Sequence, residues 1–177
     1  MPEGEISLDD PRTADVRALL EQHLALMRAT SPPQDVHALD LDGLLDPAVT
    51  CFSFRRDGEL LAVGALKQLD GQHAELKSMH TARAARGRGV ARALLEHLVG
   101  VARARGCGRV SLETGTQDAF APARSLYAGA GFRPCGPFGS YRPSPSSTFM
   151  TLALSDPALT RTALTRTALT RTDRPGR

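Results

Sequence analysis

Between a strand-like segment and the most regular amphipathic stretch of the chain lies Arg86-Gly87-Arg88-Gly89-Val90-Ala91, and this junction limits what the chain can fold into more than any other segment. From Val90 to Arg105 the apolar residues Ala91, Leu94, Leu95, Leu98, Val101 and Ala102 recur every three or four positions, and Gly106 follows. That spacing predicts a helix with one buried face and a glycine stop. The first N–H groups of a helix have no partner and carry the positive end of its dipole, which favours a phosphate there. Glycines at 87 and 89 remove side chains that would hold an anion away, and Arg83, Arg86 and Arg88 add charge. A solvated Arg/Gly loop with ordinary capping is the plainer alternative.

The segments around this junction mix both periodicities. Ile6 and Leu8 fit a short strand, and a helix carrying Val16, Leu19, Leu20, Leu24 and Met27 on one side follows, capped by Asp10 or Thr13 and ended near Ser31-Pro32-Pro33. Cys51–Arg56, Glu59–Leu69 and His73–Thr81 read as strands joined by turns at Asp57-Gly58 and Asp70-Gly71, which predicts antiparallel hairpins. Beyond the main helix, Arg109–Thr114 reads as a strand, Ala121–Ala130 as a helix stopped at Gly131, and Phe149–Leu154 as a last strand. Alternation of strand and helix in this half argues for a partly parallel sheet with helices on its faces.

At 177 residues the chain suits one domain plus trimmings, read here as a body over 1–154 and a tail over 155–177. The tail repeats ALTRT three times, a five-residue period that matches neither helix nor strand, and is expected to be disordered. It carries five Arg against Asp156 and Asp173 and so holds the whole net charge of +3. A neutral body of this kind lacks the basic face that binds nucleic acid. Cys51, Cys107 and Cys135 are odd in number and widely spaced, which suggests neither a disulfide framework nor a metal site. No apolar run reaches membrane-spanning length, and the acidic start MPEGEISLDD is no secretory signal, so a cytoplasmic protein that binds no membrane is expected. A dinucleotide site is disfavoured because Arg92 stands where a third glycine would allow close packing, and Glu75 and Lys77 interrupt the preceding strand.

Leu76–Ala91 resembles the acetyl-CoA motif of the GNAT (Gcn5-related) N-acetyltransferases, a strand followed by R/Q-x-x-G-x-G/A, met by Arg86, Gly89 and Ala91. Ala123-Arg124-Ser125-Leu126-Tyr127-Ala128-Gly129-Ala130-Gly131-Phe132 resembles the A-x-x-L-Y-x-x-x-G-F segment of the same family. Both stand in the family's order and spacing, and the resemblance extends over about residues 5–154. It implies an α/β (α+β) acyl-CoA N-acyltransferase fold: a mixed, mostly antiparallel sheet with a parallel central pair and helices on both faces.

The resemblance further implies acetyl-CoA as co-substrate, with no metal, and an N-acetyltransferase. Met79 and Thr81 would offer backbone groups to the pantetheine arm, and amides of Arg86, Gly87, Arg88, Gly89, Val90 and Ala91 would hold the pyrophosphate. Tyr127 matches the tyrosine that protonates the departing thiolate in many members, and Glu75 matches a general base of the histone-modifying branch. Pairing of Glu75 with Lys77 on the same strand is an equal alternative. Phe120 stands where many members carry an asparagine against the cofactor. The segment Met27–Leu45, with His37 and Asp40, is expected to form one wall of the acceptor site, and Glu113 to face cofactor or substrate. The absence of a Ser-His-Asp or Cys-His signature favours direct transfer, first to a small-molecule amine and second to a protein N-terminus or Lys. A non-catalytic acyl-CoA-binding regulatory module is the alternative of a different class; a monomer or a homodimer is expected. If the tail has no buried face, ending the chain after Leu154 shifts the melting temperature by less than about 2 °C and leaves CoA affinity unchanged, as thermal melts and calorimetry would register.

Overall fold

A computed structural model of the chain describes residues 2–30, 32–33 and 40–154. His37 and the expected disordered tail lie outside these described residues.

Strand β1 (Glu5–Leu8) leads into helix α1 (Ala14–Thr30) and a one-turn helix α2 (Leu41–Leu44). Strands β2 (Val49–Arg56), β3 (Glu59–Asp70) and β4 (His73–Thr81) follow as hairpins, then α3 (Val90–Ala104), β5 (Arg109–Gly115), α4 (Ala121–Gly129), β6 (Arg133–Pro134) and β7 (Ser147–Ala153). The strands form a seven-stranded sheet in the order β1-β2-β3-β4-β5-β7-β6, with β4 and β5 parallel and the other neighbours antiparallel. This is the architecture implied above. The polar stretch before β2 contributes α2 and the Gly131 stop is followed by β6, two elements too short to leave a periodic signal.

The two faces of the sheet are covered differently. Leu94, Leu95 and Leu98 of α3 have no exposed surface and pack on Leu66, Leu76 and Leu112, together with Tyr127 of α4 and Phe132. On the opposite face Val16, Leu19 and Leu20 of α1 cover Cys51, Val63 and Ala65. Alternate residues of β3 therefore serve two cores, as the period of two in a strand requires. Among the described residues no helix is long and apolar enough to cross a membrane.

Arg55 ties the N-terminal strand and α1 to β2. Its guanidinium donates to Asp9 Oδ2 at 2.9 Å and to Asp15 Oδ2 at 2.6 Å, and Ser53 Oγ donates to Asp9 Oδ2 at 2.6 Å. Burial alone would raise the Asp9 pKa, but the bonds from Ser53 and Arg55 outweigh it and hold the carboxyl below its usual range. A carboxyl with a depressed folded pKa stabilises fully above its unfolded pKa of about 4 and loses that contribution as pH falls through the folded value. Arg55→Met is thus expected to cost about 1–3 kcal/mol in urea unfolding at pH 7 and distinctly less at pH 3.

Candidate active site

The parallel ladder between β4 and β5 is short: it runs from His73↔Arg109 to Leu76↔Leu112 and stops. Beyond it, β4 stays with β3 through His80↔Val63 and Thr81↔Ala62, while β5 stays with β7 through Glu113↔Phe149 and Gly115↔Ser147. The register of β4 slips where Ser78 and Met79 together oppose Gly64, and Ser78 takes a φ of 53°, a left-handed conformation rare for a residue with a side chain. Past this bulge Ala82 N–H bonds to the Leu61 carbonyl. By strand alternation, the backbone groups of Met79 and Thr81 point to the opposite edge, the one β5 has left. An extended arm laid there would continue the sheet.

A cavity of about 450 Å³ occupies the split, bounded by β4 from Leu76 to Thr81, the N-terminus of α3, and Phe120, Leu126 and Tyr127 beside β5. At its far end Gly87 and Gly89 have φ of 71° and 78°, which glycine adopts without strain. A side-chain carbon added at Gly87 would meet nothing within 4 Å, and at Gly89 only the Pro2 ring at 3.8 Å, so the backbone here is open to a ligand. The first turn of α3 holds no acidic residue, and Arg86, Gly87, Gly89, Val90 and Ala91 all line the cavity. Arg88 does not; its guanidinium reaches back 3.5 Å to the Ala84 carbonyl. Arg86 Nε donates to the Thr81 carbonyl at 3.3 Å, tying the loop to the free strand edge. These features fit a thioester cofactor with a phosphate-bearing tail.

Tyr127 is brought into the cavity wall by α4, which starts after Phe120 with Pro122 in its first turn. Arg124 fixes the approach to that helix by donating to the carbonyls of Gly115 and Gln117 at 2.7 and 3.0 Å. Phe120 is buried in the wall and its ring lies over Gly115, where an added side-chain carbon would collide with it. Burial, with the charge of Glu113, pushes the Tyr127 phenol well above its ordinary value and keeps it protonated. Glu113 lines the cavity from β5, and its charge is felt by Tyr141 as well.

Glu75 is placed differently from Glu113. It is 3% exposed, lies outside the cavity lining, and accepts from Tyr141 Oη at 2.5 Å and Lys77 Nζ at 3.3 Å. Lys77 Nζ also donates to Tyr141 Oη at 2.7 Å and does line the cavity. The pairing with Lys77 is therefore realised, and the Tyr141 phenol, pushed up by burial and by Glu75, seals the carboxylate further. Asp40 caps α2 by accepting from Gly43 N–H at 3.0 Å and is exposed outside the cavity. The wall on that side is supplied by His23, Leu26 and Met27 of α1, facing His80 of β4.

The sequence by itself does not mark Ser78, His23, His80, Lys77 or Tyr141 as site residues. A positive φ at serine has no compositional signal, and the other four meet only through pairing of segments far apart in the chain. His23 and His80 meet with ring centroids 5.3 Å apart and planes tilted by 55°. Burial holds both near pKa 4, helped by neighbouring cations: His80 and Lys77 act on His23, and Arg86 acts on His80.

The site thus combines an open strand edge that ends at a glycine-rich helix N-terminus with a phenol and a carboxylate in the same cavity. The chain belongs to the acetyltransferase (GNAT) family, whose model matches residues 16–132. It is 44% identical over 149 residues to an uncharacterized N-acetyltransferase of Bacillus subtilis, YsnE, covering 84% of this chain and 99% of that protein. It is 36% identical over 151 residues to an IAA acetyltransferase of Azospirillum brasilense, covering 85% of this chain and 97% of that one. Among solved structures, an acyl-CoA N-acyltransferase fold from Klebsiella pneumoniae superposes with a TM-score of 0.70 at 27% identity, covering 86% of this chain and 98% of its own. A Bacillus subtilis acetyltransferase in complex with CoA superposes with a TM-score of 0.66 at 18% identity, covering 86% and 100%.

An imidazole in the unfolded chain titrates near 6.5, whereas His23 and His80 in the folded chain titrate near 4. Between these values the unfolded state binds more protons, so stability falls as pH drops from about 6.5 to 4, by up to about 1.4 kcal/mol per pH unit for each ring. Replacing both by Asn should make that slope shallower in denaturant unfolding followed across pH.

Proposed function

We propose that the protein transfers the acetyl group of acetyl-CoA directly to the primary amine of a small molecule or amino-acid derivative. The observation that carries this reading is the split between β4 and β5, which opens one strand edge into a cavity leading from the α3 N-terminus to Tyr127 and Glu113. The pantetheine arm pairs with the Met79 and Thr81 edge, and the amides from Arg86 to Ala91 receive the pyrophosphate. The Met79 N–H lies at the open edge beside the bulge, where it can stabilise the oxyanion formed on the thioester carbonyl. CoA-bound relatives of the same fold support acetyl-CoA as co-substrate.

The amine must lose a proton as it attacks, and the carboxylate in the cavity wall is Glu113 rather than the sealed Glu75. Glu113 accepts that proton, directly or through a water. As the tetrahedral intermediate collapses the C–S bond breaks, and the protonated Tyr127 phenol donates to the departing thiolate. The dimensions of the cavity, about 450 Å³ and bordered by His23, Leu26 and Met27 of α1, favour a small acceptor over a folded protein surface.

Tyr127→Phe keeps the ring that packs against Phe132, 5.9 Å between centroids, and removes the proton. Turnover of acetyl-CoA with an accepted amine, followed by thiol release, is expected to fall by about 10²-fold while acetyl-CoA affinity stays within about twofold. Glu113→Gln should lower turnover more than Glu75→Gln does. Acetyl-CoA binding with no turnover against any amine in a broad panel would favour a regulatory acyl-CoA-binding module, and turnover with peptides alone a protein acetyltransferase.

A further inference from the structure

The bulge at Ser78 leaves Gly64 of β3 facing two residues of β4. Val63 and Ala65 beside it pack with α1, so a side chain at 64 would point to the α3 face. A Cβ there would lie 2.7 Å from Met79 Sδ, 3.1 Å from Leu98 Cδ1 and 3.4 Å from Leu94 Cδ2. The Met79 thioether therefore fills the room that Gly64 leaves. Leu94 and Leu98 have no exposed surface and nowhere to move, whereas Met79 also lines the cavity. Any displacement of that sulfur is directed into the cavity, beside the strand edge on which the proposed reaction places the thioester.

We propose that the Met79 side chain, seated over Gly64, limits the length of the acyl group and so makes the site selective for short acyl-CoA thioesters. The inference rests on the acetyl-CoA reading and adds a specificity determinant to it. In a fitted apolar pocket one extra methylene changes binding by about 10- to 200-fold, and a flexible thioether is a common filler of such space. Met79→Ala removes the filler; Gly64→Ala forces the filler toward the ligand.

The test is calorimetric binding of acetyl-CoA, propionyl-CoA and butyryl-CoA, which needs no acceptor. The native chain is expected to bind acetyl-CoA at least about tenfold more tightly than butyryl-CoA. Met79→Ala should bring that ratio close to one or reverse it, and Gly64→Ala should extend the discrimination to propionyl-CoA. A ratio in Met79→Ala equal to that of the native chain overturns the proposal while leaving the acetyl-CoA reading intact. A native chain that binds none of the three overturns both. If Gly64→Ala does not fold, the Met79→Ala ratio decides alone.

Discussion

The parting of β4 from β5 after Leu76 and Leu112 is the constraint on which the site depends. Two parallel strands paired along their whole length would satisfy each other's backbone groups and leave no edge for a ligand. The bulge prevents this by holding Ser78 in a left-handed conformation and shifting β4 by one residue against β3. Such a conformation costs about 1 kcal/mol or more, and it persists because β4 is fixed on both sides of it. On one side lies the parallel ladder, on the other the pairs His80↔Val63 and Thr81↔Ala62.

The same bulge sorts the polar residues of β4. Before it, Glu75 and Lys77 turn away from α3 and meet Tyr141, which arrives from the segment between β6 and β7. After it, the alternation restarts, so Met79 falls on the α3 face over Gly64 while His80 falls on the α1 face against His23. A buried carboxylate beside an ammonium and a phenol is satisfied and held in place. Glu113 stands on β5, which has already departed, and so its carboxylate borders the cavity. Burial thus gives the two glutamates different surroundings. Glu75 is held in the sheet by Tyr141 and Lys77, and Glu113 borders the cavity.

The glycine-rich end of the cavity is governed by chemistry much closer in sequence. Between Arg86 and Ala91 stand the first backbone N–H groups of α3 and two glycines in left-handed conformations. Such an arrangement needs only a turn and the start of a helix, and α3 supplies both because its apolar stripe anchors it under the sheet. That is why this part of the site is legible in the sequence alone, together with Tyr127, which belongs to a short contiguous segment. Asp40, expected in the acceptor wall, caps its own helix: a carboxylate three residues before an unpartnered N–H makes a local bond that composition does not distinguish from a ligand contact.

By itself the sequence determined the longer strands and helices and the hairpin turns, but not the short α2 and β6, because the periods of 2 and 3.6 residues and the Asp-Gly and terminal glycine signals are local. It also determined the family and the glycine-rich junction before α3, since each is written in a contiguous motif. Only the tertiary structure decided where the sheet splits, which glutamate faces the cavity, that His23 meets His80, and that Gly64 makes room for Met79. Each of these depends on strand register and on contacts between residues distant in the chain. A single-residue shift exchanges the two faces of a strand while leaving its composition and periodicity unchanged.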